Sequence, residues 1–96
     1  NLLGPFYELI IAGDPSDKTT QALEATYAKL APPWVVRIAV GASGPTPATQ
    51  RQLPPTEGKR ARDNRARAYV CQTGSCKAPT SDARQLKEQL LSGWHH

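Results

Sequence analysis

The sequence contains no methionine, only two cysteines, and no apolar run near the ~18–20 residues that a membrane-spanning helix needs. Without methionine, Asn1 is not a translation start, and we expect the chain to be a piece of a longer polypeptide. The opening Asn1-Leu2-Leu3-Gly4-Pro5 lacks the charged front and apolar middle of a secretory leader, so no membrane partner is indicated and a cytoplasmic location is expected. Two cysteines are too few for the disulfide framework that holds small secreted domains together. Histidine occurs only as His95 and His96, where a frayed tail or a tag remnant is the default. Ser43 and Ser75 therefore have no histidine near them in sequence, and no catalytic residue is assigned. The one glycine-rich stretch, Gly41-Ala42-Ser43-Gly44, lacks the lysine and following helix of a phosphate-binding loop, and no cofactor or metal is expected. Apolar residues amount to 39%, below the about 45–50% of an average domain, although that reference also counts glycine. With 96 residues burying little more than about 60% of their unfolded surface, the core must be thin.

The net charge of +4 is concentrated. Lys59, Arg60, Arg62, Arg65 and Arg67 against Asp63 account for all of it, leaving seven basic and seven acidic residues elsewhere. A solvated basic loop is the favoured reading, and an anion-binding or nucleic-acid contact is the alternative. The aromatic interleaving that single-strand binders use for stacking is missing within the run, Tyr69 lying just beyond it, which makes nucleic acid the lesser partner.

Along the chain, Phe6 to Ala12 ends in a continuous apolar stretch and stops at Gly13-Asp14-Pro15, as a strand covered on both faces does. Asp14 to Asp17 supplies turn and cap chemistry, and Leu23, Tyr27 and Leu30 recur on one helical face. Pro32 and Pro33 end that helix, and Trp34 to Val40 reads as a second strand. From Gly41 to Asn64 periodicity is lost among Pro45, Pro47, Pro54 and Pro55, and this is taken as a long, mobile surface loop. Ala66 to Cys71 forms a third strand, and Ser81 or Asp82 caps a last helix with Ala83, Leu86, Leu90, Leu91 and Trp94 on its apolar face.

These elements predict a small α/β fold. Its sheet is open, mostly parallel and three-stranded in the order 2-1-3, with a helix on each face. The first crossover is right-handed. Ligands of such sheets sit beyond the carboxyl ends of the strands, so Gly13, Asp14 and Gly41 mark a candidate crevice, toward which the segment from Cys71 to Cys76 should converge. Asp14 and Asp17 are expected to cap the first helix rather than to act as acid and base.

The most distinctive stretch runs from Ala68 to Asp82, where a strand leads into Cys71, a turn through Thr73-Gly74, Cys76 and a capped helix. Four residues lie between the thiols, against two in thioredoxin-type chemistry and about two to four in zinc knuckles, so the spacing alone is a weak signal. Two thiols, free under reducing conditions and shaping a structural turn, are the favoured reading, with an oxidisable pair and half a metal site as alternatives. A bridge would contribute about 2 kcal/mol through chain entropy.

The segments Tyr7-Glu8-Leu9-Ile10-Ile11-Ala12-Gly13-Asp14, the helix through Leu23, the proline before Val35-Val36, and Ala68-Tyr69-Val70-Cys71 with Cys76, Ala78-Pro79 and the closing leucine helix resemble a known family. It comprises the thioredoxin-domain-containing proteins of the bacterial YyaL group and their spermatogenesis-associated relatives. Those proteins consist of a thioredoxin-like domain and an (α/α) toroid followed by a segment like this one. The resemblance implies a non-catalytic C-terminal accessory domain spanning 1–96, whose partners are the upstream domains of the same polypeptide. Pro33-Trp34 before the second strand and the heavy basic stretch after Lys59 depart from the pattern.

Overall fold

The computed structural model describes residues 7–63, 65–72 and 75–92. Phe6, Asn64, the Thr73-Gly74 turn, Trp94 and both histidines, to which the sequence assigned roles, lie outside the described residues.

Strand β1 spans Tyr7–Ala12, and its Leu9, Ile10, Ile11 and Ala12 are all at most 1% exposed, as expected for a strand covered on both faces. Helix α1 follows over Lys18–Leu30, begun by the Asp17 carboxylate, which accepts a hydrogen bond from the Thr19 amide at 3.2 Å. It stops at Ala31, which adopts the left-handed conformation (φ 37°, ψ 51°) and donates its amide to the Tyr27 carbonyl at 2.7 Å before Pro32 and Pro33 bar further turns. Strand β2, Val35–Val40, pairs in parallel with β1 from Tyr7↔Val35 to Ala12↔Val40. The expected parallel pairing of the first two strands is therefore present.

The third strand differs from expectation. Strand β3 spans Arg67–Gln72 and runs antiparallel to β1, with Glu8 opposite Cys71, Ile10 opposite Tyr69 and Ala12 opposite Arg67. A fourth strand, β4 (Ser75–Cys76), turns back along β3, so the sheet has the order β2-β1-β3-β4 and two of its three pairings are antiparallel. The mostly parallel, three-stranded sheet is thus corrected. Helix α3, Ala83–Ser92, closes the described chain. The physical reason lies in the connection between β2 and β3. A parallel third strand requires a return crossover, usually a helix packed on the sheet, whereas residues 41–66 start and finish at the same end of the sheet.

Both long helices occupy one face, where α1 and α3 pack on each other. Leu9, Ile11 and Val35 from β1 and β2, and Ala68 and Val70 from β3, meet Leu23 of α1 and Leu86 and Leu90 of α3 in one buried cluster. The opposite face carries Ile10, Ala12, Ile38, Val40, Tyr69 and Cys71. No long helix covers it. Its cover comes from the 41–64 segment, which is not structureless: helix α2 occupies Pro47–Gln52 and a 3-10 turn Pro54–Thr56, which touches β1.

Proline at the first turn of each short helix costs no intrahelical hydrogen bond, and Thr46 caps α2 by accepting from the Thr49 amide at 3.1 Å. The segment is anchored by polar groups rather than by Leu53, which is 40% exposed. Thr56 is fully buried and donates its hydroxyl to the Leu53 carbonyl at 2.7 Å, while the Ala61 amide reaches the Ala42 carbonyl at 3.0 Å. Gly44, at φ 95°, lets the chain pass a Lys59 carbonyl that a side chain there would crowd at 3.1 Å.

Candidate functional site

Three places hold the residues that the sequence singled out. The first is a crevice of about 430 Å³ beyond the carboxyl ends of β1 and β2, at the start of α1, lined by Ile11, Gly13, Thr20, Glu24, Ala39 and Gly41 among others. Gly13 and Gly41 line this crevice, whereas Asp14 does not. Asp14 is exposed, and its carboxylate accepts from the Ser16 amide at 2.9 Å and the Ser16 hydroxyl at 2.8 Å. Those bonds, the amide first, hold the carboxyl below its ordinary value. Gly13 is required by close approach, because a Cβ there would run into Thr20 Oγ1 and the Ala66 side chain. Thr20 Oγ1 is itself buried without a hydrogen-bond partner. The lining is mainly apolar and brings no nucleophile together with a base.

The second place is at the other end of the sheet. Because β3 is antiparallel, Cys71 lies opposite Glu8 near the start of β1, far from the Gly13 crevice toward which the cysteines were expected to converge. Cys71 and Cys76 face each other in register across β3 and β4 with Cα atoms 3.9 Å apart, close in space as expected, and they are joined by a disulfide. The Lys77 amide bonds the Val70 carbonyl at 2.8 Å, which makes the neighbouring 71/76 pair the non-hydrogen-bonded kind, where side chains approach most closely. Among the described residues no group of three or more metal-ligating side chains adjoins them. The disulfide lines a crevice of about 370 Å³ together with Glu8, Pro54, Pro55, Glu57 and Lys59. Glu8, Pro54 and Pro55 carry no site signal in the sequence, because only the antiparallel register and the folded-over segment bring them to the cysteines.

The third is the basic segment. Arg62 and Arg65 exchange backbone hydrogen bonds of 3.0 and 2.9 Å, forming a tight hairpin with Asp63 in the left-handed region (φ 53°), which aspartate tolerates better than most residues. Arg60, Arg62 and Arg65 are exposed, and Lys59 and Arg67 are half-buried because they flank Tyr69, 5.6 and 5.5 Å from its ring centroid. The Tyr69 hydroxyl donates to the Arg60 carbonyl at 2.7 Å. Lys59 thus helps to fasten the segment to the sheet, Arg67 belongs to β3 itself, and the other three cations face solvent. The one salt bridge among the described residues, Arg37 to Glu24 at 3.1 Å, lies elsewhere and ties β2 to α1. No helix among the described residues is long and apolar enough to cross a membrane.

No family model matches the chain, and no solved structure does. The chain is 32% identical over 84 residues to human spermatogenesis-associated protein 20, an alignment covering 86% of this chain and 10% of that protein. The mouse protein of the same name is 31% identical over 84 residues, with the same coverage of both. The chain therefore spans about a tenth of the length of the curated relatives it matches and is similar to one small part of each.

Proposed function

We propose that this chain is a non-catalytic accessory domain at the C-terminal end of a longer YyaL-like polypeptide, where it packs against or regulates a toroidal domain. The observation that carries this reading is the lopsided alignment, in which nearly the whole chain corresponds to a tenth of a long relative. The fold supplies a surface suited to docking. Among the described residues β2 is an edge strand with no neighbour on its outer side, and its Val36 is 50% exposed. The Trp34 and Val40 carbonyls accept from the Tyr7 and Gly13 amides, so even-numbered residues of β2 bond inward and the amides of Arg37 and Ala39 point outward.

Hydrogen exchange in the full-length polypeptide, compared with the 96-residue chain, tests the docking. Slower exchange at Arg37 and Ala39 in the longer protein is the expected result, and identical exchange across β2 would sink this interface. A second reading, contact with an anionic ligand, is supported by the exposed Arg60, Arg62 and Arg65 on their hairpin. It predicts binding of a phosphate-bearing ligand that weakens with salt and is lost in an Arg62→Ala, Arg65→Ala variant.

A further inference from the structure

The accessory reading leaves unused the most chemically specific feature of the molecule. Cys71 is 3% exposed and belongs to the core of the second sheet face, while its partner Cys76 is exposed. One sulfur residue is thus held inside the fold and the other is presented to solvent, and both open onto the crevice bounded by Glu8, Pro54 and Pro55. Glu8 lies directly opposite Cys71 in the β1–β3 register, so the two side chains project from the same face as close neighbours. Among the residues lining this crevice, Glu8 and Glu57 are the carboxylates, and Glu8 is the one placed by the sheet itself.

We propose that Cys71 and Cys76 form a thiol–disulfide exchange site that takes an external disulfide or dithiol, with Cys76 as the attacking sulfur, Cys71 as the resolving thiol and Glu8 as the proton acceptor for Cys71. From the dithiol form, the Cys76 thiolate, its proton already lost to solvent, attacks one sulfur of the external disulfide. That bond breaks and one external thiolate leaves, taking up a proton from solvent. Cys76 now carries a mixed disulfide. Glu8 takes the proton of the Cys71 thiol, and the Cys71 sulfur attacks Cys76 Sγ. The bond between the two cysteines forms, the second external thiolate leaves, and the proton held by Glu8 reaches it through solvent. Two electrons pass from the chain to the external disulfide, which becomes a dithiol or two thiols. An external dithiol restores the starting state by the reverse steps. Exchange of this kind depends on which sulfur is accessible and on the proton state of the thiols, and the unequal burial of the pair together with the adjoining carboxylate addresses both.

The test uses the 96-residue chain in glutathione buffers of graded oxidation, with the cysteine state read by mass after alkylation. The bond is expected to open and close while the chain stays folded, at a rate that does not change with urea below the unfolding transition. A reduction rate that instead follows global unfolding would show a purely structural bond and overturn the proposal. With glutathione disulfide, Cys71→Ser should accumulate one glutathione on Cys76, whereas Cys76→Ser should leave Cys71 unmodified over the same period; equal labelling of the two would contradict the assigned roles. Glu8→Gln should slow resolution of the mixed disulfide by at least about tenfold near neutral pH and make that step rise more steeply with pH, because the Cys71 thiol must then lose its proton to solvent, with Glu8→Asp restoring part of the rate. An unchanged rate and pH profile in Glu8→Gln would remove Glu8 from the mechanism. The wild-type urea series decides the central proposal even if a cysteine variant does not fold.

Discussion

Ala31 occupies a conformation that suits glycine, left-handed and immediately before a proline, because the chain must leave α1 and enter β2 within four residues. An L-residue there is strained, and the residue before proline is further restricted. Ala31→Gly is therefore expected to raise stability by about 0.5–1 kcal/mol, the relief of strain exceeding the added freedom of the unfolded chain, as read from the urea midpoint. Asp14 shows a smaller local effect. Its folded value is depressed by the Ser16 amide and hydroxyl, so what its turn contributes is present above the unfolded aspartate value and is lost as pH falls through the lower folded value. A carboxyl titration followed by NMR should place Asp14 below the ordinary 3.8, and Ser16→Ala should move it back toward that value. Asp17, read from the sequence as a cap, is one; Asp14, read the same way, instead closes the turn before it.

At the scale of elements, the segment from Gly41 to Asn64 departs furthest from its reading. Prolines and polar residues without periodicity indicate a loop without regular structure, yet the segment builds two short helical turns, the second of which touches β1. Apolar periodicity reports burial against a neighbouring element, and this segment is anchored through Thr56, Tyr69 and backbone groups, which carry no such signal. Tyr69→Phe removes the hydroxyl that holds the Arg60 carbonyl and keeps the ring between Lys59 and Arg67. It should cost about 1 kcal/mol and speed amide exchange from Lys59 to Ala61 while α1 and α3 stay protected, since a partly buried hydrogen bond contributes about that much. Uniform acceleration across all elements would mean that the segment is not a separate unit.

In the molecule as a whole, the β1–α1–β2 unit, the burial of Leu9, Ile10 and Ile11, and the apolar face of α3 through Leu86 and Leu90 follow from the sequence, because each is written in local chemistry: a continuous apolar strand, caps and prolines, three-to-four spacing. The direction of β3 is not written there. Arg67 to Gln72 has the same side-chain alternation read in either sense, so its propensity to be a strand says nothing of its orientation. That choice depends on where the connecting segment leaves and re-enters the sheet, which only the packed structure decides, and it moved Cys71 from the Gly13 crevice to the side of Glu8. The cysteine pair itself was legible, along with the basic segment and the strand-end glycines. Its bonded state, its carboxylate neighbour and its proline-walled crevice arose from tertiary structure, because contacts between residues this far apart in sequence exist only once the sheet register and the folded-over segment have been set.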